Sequence, residues 1–293
     1  MTRCRATTIG RRDCPLCGCR DAHTLREFPG DERVAGSWTL VECSSCSMVY
    51  LHQRVNYELQ SEQFDWAETF RAESRRRDSQ QPVNRALTRG LYWLRRAYGL
   101  QDGDKTVALV RRHQKQGRLC DFGCGNGRLL VRAARYFAVT GVDISAQMAA
   151  SARRKLPGAE IVVSPITEAP LPPDSFDAIT MQSYLEHEQD PLIALGAARS
   201  ALRPGGVVVL KTPNYQSWNR RWRGWKWCGF RFPDHCNYFV PRTLRLALET
   251  AGFEVLRGAL RDTLPTSDNM YFAARKSGDA PRAKIASPRR IAV

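Results

Sequence analysis

From Gly117 onward, short apolar runs alternate with amphipathic stretches. The runs at 119–122, 139–142, 161–163, 178–181 and 207–210 have strand length and are rich in Val, Ile, Leu and Phe. Between them, 128–137, 146–154 and 191–202 space their apolar residues as helices do, and Pro204-Gly205-Gly206 stops the last of these. Such alternation predicts an α/β fold, a parallel sheet with crossover helices. A helix at 241–251 and strands near 253–256 and 271–274 extend it. Upstream, Leu87, Leu91, Leu94 and Ala97 recur at the spacing of one helix face. No internal repeat is visible.

These patterns divide the chain into four parts. Residues 1–52 hold a concentration of cysteines and short strand-like pieces such as Thr39-Leu40-Val41, a small metal-binding module. Residues 53–116 form a helical linker or cap, 117–276 the main α/β domain, and 277–293 a basic tail without periodicity, expected to be disordered.

Composition changes this picture in two ways. Forty-five Lys and Arg against 29 Asp and Glu give a formal net charge of +16, which admits an anionic partner without choosing among nucleic acid, membrane surface and small phosphorylated molecules. A solvated basic surface accounts for the charge equally well. The ten cysteines, with neither a signal-like apolar stretch nor an apolar run of spanning length, predict a soluble cytoplasmic protein whose thiols are reduced or bind metal.

Cofactor chemistry enters at Asp121-Phe122-Gly123-Cys124-Gly125-Asn126-Gly127, which follows a strand and leads into a helix. Glycines allow a sharp turn and close approach of a ligand, and a helix start offers free N–H groups. A dinucleotide fingerprint counted from Gly123 needs its third glycine at 128, where Arg128 stands. Asp143, ending the second strand 22 positions after Asp121, is placed to accept both ribose hydroxyls of a nucleoside; helix capping is its other reading.

The loop resembles the first motif of class I S-adenosylmethionine-dependent methyltransferases. Further likeness runs through Leu171-Pro172-Pro173-Asp174-Ser175-Phe176-Asp177, Leu185-Glu186-His187, Leu202-Arg203-Pro204-Gly205-Gly206, Thr212-Pro213-Asn214 and Pro233-Asp234-His235, covering about 117–275 and pointing to the small-molecule branch. The resemblance implies a Rossmann-like seven-stranded sheet, S-adenosylmethionine as cofactor, and cofactor contacts at Asp121, Gly123, Cys124, Gly125, Gly127, Asp143, Ile144, Ile166 and Gln182. One departure is Ser164-Pro165-Ile166-Thr167, where the family often carries an acidic adenine contact.

Two C-x-x-C pairs, Cys14/Cys17 and Cys43/Cys46, present four thiolates for a structural zinc ribbon. Cys4, Cys19, His23 and His52 are alternative ligands, and reduced thiols without metal the simplest one. The pairs followed by Met48-Val49-Tyr50 resemble N-terminal modules of bacterial methyltransferases that act on sugars, glycans and other metabolites.

For the acceptor, His235 is expected as the catalytic base and His187 as a second catalytic group shaping the pocket, each having a plain hydrogen-bonded reading beside it. The segment 218–227 interleaves Trp and Arg, fitting an anionic small acceptor, stacked nucleic-acid bases, or a packed lid. A small-molecule acceptor is favoured. The alternatives are an RNA methyltransferase, against which strand four reads Gln182-Ser183-Tyr184-Leu185 instead of Asn/Asp-Pro-Pro-aromatic, and a non-catalytic cofactor-binding or zinc-ribbon protein.

Overall fold

The computed structural model describes residues 8–30, 37–55, 105–256, 265 and 267–278. The helix expected around Leu87 to Ala97, the tail from 279 and the alternative ligand Cys4 lie outside the described residues.

Seven strands form the main sheet: β6 (Gly117–Phe122), β7 (Phe137–Asp143), β8 (Glu160–Val163), β9 (Phe176–Gln182), β10 (Leu202–Pro213), β12 (Phe253–Val255) and β13 (Asn269–Lys276). Their order is β12-β13-β10-β9-β6-β7-β8; the block from β10 to β8 is parallel, and β13 runs antiparallel to both its neighbours. This is the expected Rossmann-like α/β sheet. Its order reverses between β6 and β9, the switch point at which open α/β sheets bind ligands.

The strands are apolar on both faces because both are covered. On one face Phe122, Ile179, Met181, Val208 and Leu210 meet helices α4 (Pro191–Ala201) and α6 (Pro241–Thr250) through Leu195, Ala198, Leu244 and Leu248. On the other, Leu119, Ala178, Val207 and Val209 meet α1 (Lys105–His113), α2 (Arg128–Ala133) and α3 (Ala146–Lys155) through Val110, Leu130 and Ala152. Successive strand residues alternate between the two layers, as a two-residue repeat requires.

Two boundaries depart from the sequence reading. The helix after the glycine loop ends at Ala133, four residues short of the expected end, because Phe137 is a buried residue of β7. The turn at Pro204-Gly205-Gly206 lies within β10, where pairing with β9 begins at Leu202, shifts register and resumes at Val207.

The N-terminal strands are β1 (Thr8–Arg11), β2 (Ala22–Pro29), β3 (Ser37–Cys43), β4 (Val49–Leu51) and β5 (Gln53–Val55). β2, β3 and β4 form an antiparallel sheet whose fourth strand, β11 (Asn237–Tyr238), comes from far along the chain. Leu40 and Val49 then share an apolar cluster with Tyr215, Trp227, Phe230 and Tyr238. The cysteine-rich segment is thus built into the rest of the protein.

Candidate active site

The glycine loop sits at the carboxyl edge of β6. The N–H groups of Gly123 and Cys124 both bond to Val142 O, at 2.8 and 3.0 Å, tying the loop to β7. Gly125 has φ 52°, and nothing lies within 4 Å of where a Cβ would stand, so the loop borders open space there. Its N–H donates to Asp143 Oδ2 at 2.7 Å, while Asp143 Oδ1 accepts from the Ser145 N–H at 2.9 Å. Capping of α3 belongs to Ser145, whose hydroxyl accepts from the Met148 N–H. Asp143 is therefore held beside the loop with lone pairs to spare on both oxygens. Burial pushes its carboxyl above the usual range, opposed by those two backbone bonds.

The other expected cofactor residues divide by role. Asp121 is buried and accepts from Thr180 Oγ1 at 2.6 Å, joining β6 to β9 across the switch point. Cys124 turns its thiol down, where Gly141 leaves room: a Cβ on Gly141 would lie 2.7 Å from Cys124 Sγ. Gly127 begins α2 in the left-handed region, and Ile144 directly follows Asp143 at the end of β7. Ile166 is buried in the apolar layer beyond β8, beside Ser164, whose N–H bonds to Asp143 O. Gln182, ending β9, accepts from Thr106 Oγ1 of α1 at 2.9 Å.

Sequence reasoning missed Tyr184. Its ring covers Gly123, with Cδ2 only 2.5 Å from where a Cβ would stand, and its hydroxyl donates to Glu188. A glycine at 123 is thus needed for the tyrosine, and the only sequence signal was Tyr184's place beside the Glu186-His187 segment.

The two histidines come together. Their rings lie edge to face with centroids 4.7 Å apart. His187 Nδ1 is 2.9 Å from Asp234 O, and His235 Nδ1 is 2.8 Å from Gly229 O. A carbonyl only accepts, so each Nδ1 carries a proton, and in a neutral ring so bonded Nε2 is the acceptor. Burial, aided by Arg231, pushes the His187 pKa down to about 3, and the ring is uncharged at neutral pH.

Glu186 completes the group. It is buried, accepts from Thr212 Oγ1 at 3.1 Å, and is pushed up to about 7 by burial. One ligand atom from each of Glu186, His187 and His235 lies within 4.8 Å of the others. Arg231 bears on both Glu186 and His187, and Lys211 on Glu186, a positive field that favours the ionised carboxylate and the uncharged imidazole.

The second cluster is Cys14, Cys17, Cys43 and Cys46, whose sulfurs all lie within 4.8 Å of one another, two pairs being 3.5 Å apart. Four thiolates about 2.3 Å from a tetrahedral zinc would stand roughly 3.8 Å apart, so the donor set fits that ion. Cys19 instead points to Asp21 O, and His23 to Ser44.

Of the Trp/Arg segment, α5 (Trp218–Arg223) exposes Trp218 and Trp222, at 58% and 83%. Trp227 is buried, its Nε1 donating to Asp268, and Trp225 packs on Phe28 and Phe230 beneath the Arg26 guanidinium. Trp225 nevertheless keeps 37% of its surface exposed, whereas Trp227 is part of the core.

Residues 92–257, more than half of the chain, match the sequence model of a family described as a methyltransferase domain. A ubiquinone biosynthesis O-methyltransferase of Xanthomonas campestris is 37% identical over 103 residues, 33% of this chain and 43% of that protein. A probable S-adenosylmethionine-dependent methyltransferase of Mycolicibacterium smegmatis is 32% identical over 173 residues, 56% of this chain and 60% of that protein. The chain thus spans less than two thirds of the length of these relatives. An S-adenosylmethionine-dependent methyltransferase from Mesorhizobium loti aligns with TM-score 0.48 and 22% identity, covering 57% of this chain and 95% of that one. An amino pentose methyltransferase from Micromonospora echinaspora aligns with TM-score 0.44 and 18% identity, covering 63% and 96%.

Proposed function

This chain belongs to the methyltransferase-domain family, and from that we propose that it methylates a small metabolite or a sugar or glycan precursor at the expense of S-adenosylmethionine. The observation that carries the reading is Asp143, bonded to the N–H of Gly125 at the edge of an open cradle. When bound, the cofactor supplies a methyl group on a sulfonium, ready for in-line displacement. Asp143 would accept the ribose hydroxyls, the loop from Gly123 to Gly127 would lie along the cofactor, and Tyr184 would bound the pocket over Gly123.

His235 and His187 would do the acid–base work. Methylation of a neutral O or N nucleophile releases a proton, and an imidazole with its Nδ1 bound to a carbonyl accepts that proton at Nε2. His235 is the base in this reading. His187, edge-on to it, sets the wall, and Glu186 beneath would stabilise the imidazolium once formed. The four cysteines would hold a structural zinc, a closed site with no position left for water.

A second reading, methylation of RNA, draws on the exposed Trp222 beside Arg221 and Arg223 and on the net charge of +16. Calorimetric titration with S-adenosylmethionine, followed by transfer of labelled methyl groups to panels of sugar, quinol and RNA acceptors, separates the two. Absence of cofactor binding would overturn both.

A further inference from the structure

A cavity of about 330 Å³ opens where the cysteine module, the segment after β10 and the start of α6 meet. Its size falls in the range of about 300 to 1,000 Å³ that ligand pockets occupy. Arg220, Arg221 and Arg242 line it, facing a single acid, Glu42, with Gln216 and Thr243 among the polar groups between them.

The cationic side is pre-organised. The Arg220 guanidinium lies 4.2 Å from the centre of the Tyr215 ring and donates to the Tyr215 hydroxyl at 2.6 Å, fixing its plane. Its Nε is buried without a hydrogen-bond partner, a donor that a bound acceptor atom would satisfy. Arg221 and Arg242 are exposed and approach from two different helices, Arg221 from the last turn of α5 and Arg242 from the first turn of α6. The first turn of α6 also contributes to the lining, adding the partial positive charge of a ten-residue helix start.

Three planar guanidiniums around one cavity match the oxygens of phosphate, which they can meet in paired hydrogen bonds. We propose that this cavity binds the phosphate or diphosphate group of a small phosphorylated ligand. Because Tyr215 and Gln216 lie two and three residues past the end of β10, the cavity opens near the carboxyl edge of the sheet where the acceptor would lie. That the phosphorylated ligand is the acceptor rests on the methyltransferase reading; phosphate binding in the cavity does not.

The experiment is calorimetric titration of the full-length, metal-loaded protein with inorganic pyrophosphate at fixed ionic strength, against Arg221→Ser/Arg242→Ser and Glu42→Gln, with S-adenosylmethionine titrated in parallel. Losing two charge-assisted contacts should weaken pyrophosphate binding about tenfold or more. Glu42→Gln should tighten it several-fold by removing the one repelling carboxylate, a gain that loss of packing would not produce. Cofactor affinity should not change in either variant. Equal pyrophosphate affinity in wild type and the double variant, or none at millimolar concentration, would overturn the site. Tighter binding of a single-stranded oligonucleotide, steeply salt-dependent and lost in the double variant, would overturn the small ligand in favour of nucleic acid. Pyrophosphate binding that responds as expected in a protein that ignores S-adenosylmethionine would leave the site standing and sink the catalytic reading.

Discussion

Arg12 donates to the side-chain oxygen of Asn237 at 3.1 Å, across 225 positions of sequence. The same guanidinium nitrogen donates to Gln189 O at 2.7 Å, and the group lies 5.6 Å from the centre of the Tyr50 ring. Asn237 in turn donates to the carbonyls of Leu185 and Glu188. One buried arginine, two residues before the first cysteine pair, thus ties the cysteine-rich segment to both segments that carry the histidines. Arg12→Met should destabilise the protein by roughly 3 kcal/mol, through lost charge-assisted bonds and orphaned acceptors. Urea unfolding monitored by tryptophan fluorescence checks this; an unchanged midpoint would show the bonds to be dispensable.

Zinc should be present at one ion per chain and should be required for the fold around the histidines. Cys43→Ser, or prolonged chelation of the wild type, is expected to release the metal and to lower cofactor turnover as well, because β4 pairs with β11, two residues past His235. Elemental analysis with activity on the same samples tests the link. Full activity in metal-free protein would break it.

Asp143→Ala should weaken S-adenosylmethionine binding by about two to four orders of magnitude, two lost bonds to a charged acceptor each being worth about 1.5 to 3 kcal/mol. Asp143→Asn, which keeps one acceptor oxygen, should fall between. Equal affinities by calorimetry would mean that the carboxylate serves only the Gly125 and Ser145 N–H groups.

Much of this was legible in the sequence because it is written in local pattern. The seven strands follow from short apolar runs, and the loop and Asp143 from glycine spacing and the count of 22 positions between Asp121 and Asp143. Contacts made by residues distant in sequence were not legible. Thr180 beneath Asp121, Tyr184 over Gly123 and Arg12 against Asn237 depend on strand order and on the pairing of β4 with β11, which no periodicity encodes. The early end of α2 was missed because Phe137 suits a helix face as well as a strand.

His235→Ala should lower turnover about 10²- to 10⁴-fold while leaving cofactor affinity intact, and the deficit should shrink at high pH as the acceptor ionises unaided. His187→Ala should cost less in turnover and more in the acceptor's KM. Steady-state kinetics of both variants from pH 6 to 10 decides; normal turnover in His235→Ala would leave alignment alone as the source of rate.

Glu186 supplies a pH dependence of stability. Its carboxyl is raised by burial to about 7, so the folded state holds a proton that the unfolded chain releases near its ordinary value of 4.5. This contribution is fully favourable below pH 4.5, declines as pH rises, and is gone above about 7. A difference of that size corresponds to about 3 kcal/mol. Relative to Glu186→Gln, which cannot ionise, the wild type should lose Tm between pH 5 and 8. Parallel melting curves would contradict the assignment.

Tyr50 and Asn237 pair across strands, yet a ribosome adding about 5 to 20 residues per second would make the second roughly ten to forty seconds after the first. During that interval β4 has one edge without its β11 neighbour, and Val49 lacks the cover of Tyr238 and Trp227. All four clustered cysteines lie within the first 46 residues. If they bind zinc as proposed, an ion captured early would hold the nascent sheet in register until its last strand arrives, and metal supply during synthesis would then set the yield of folded protein.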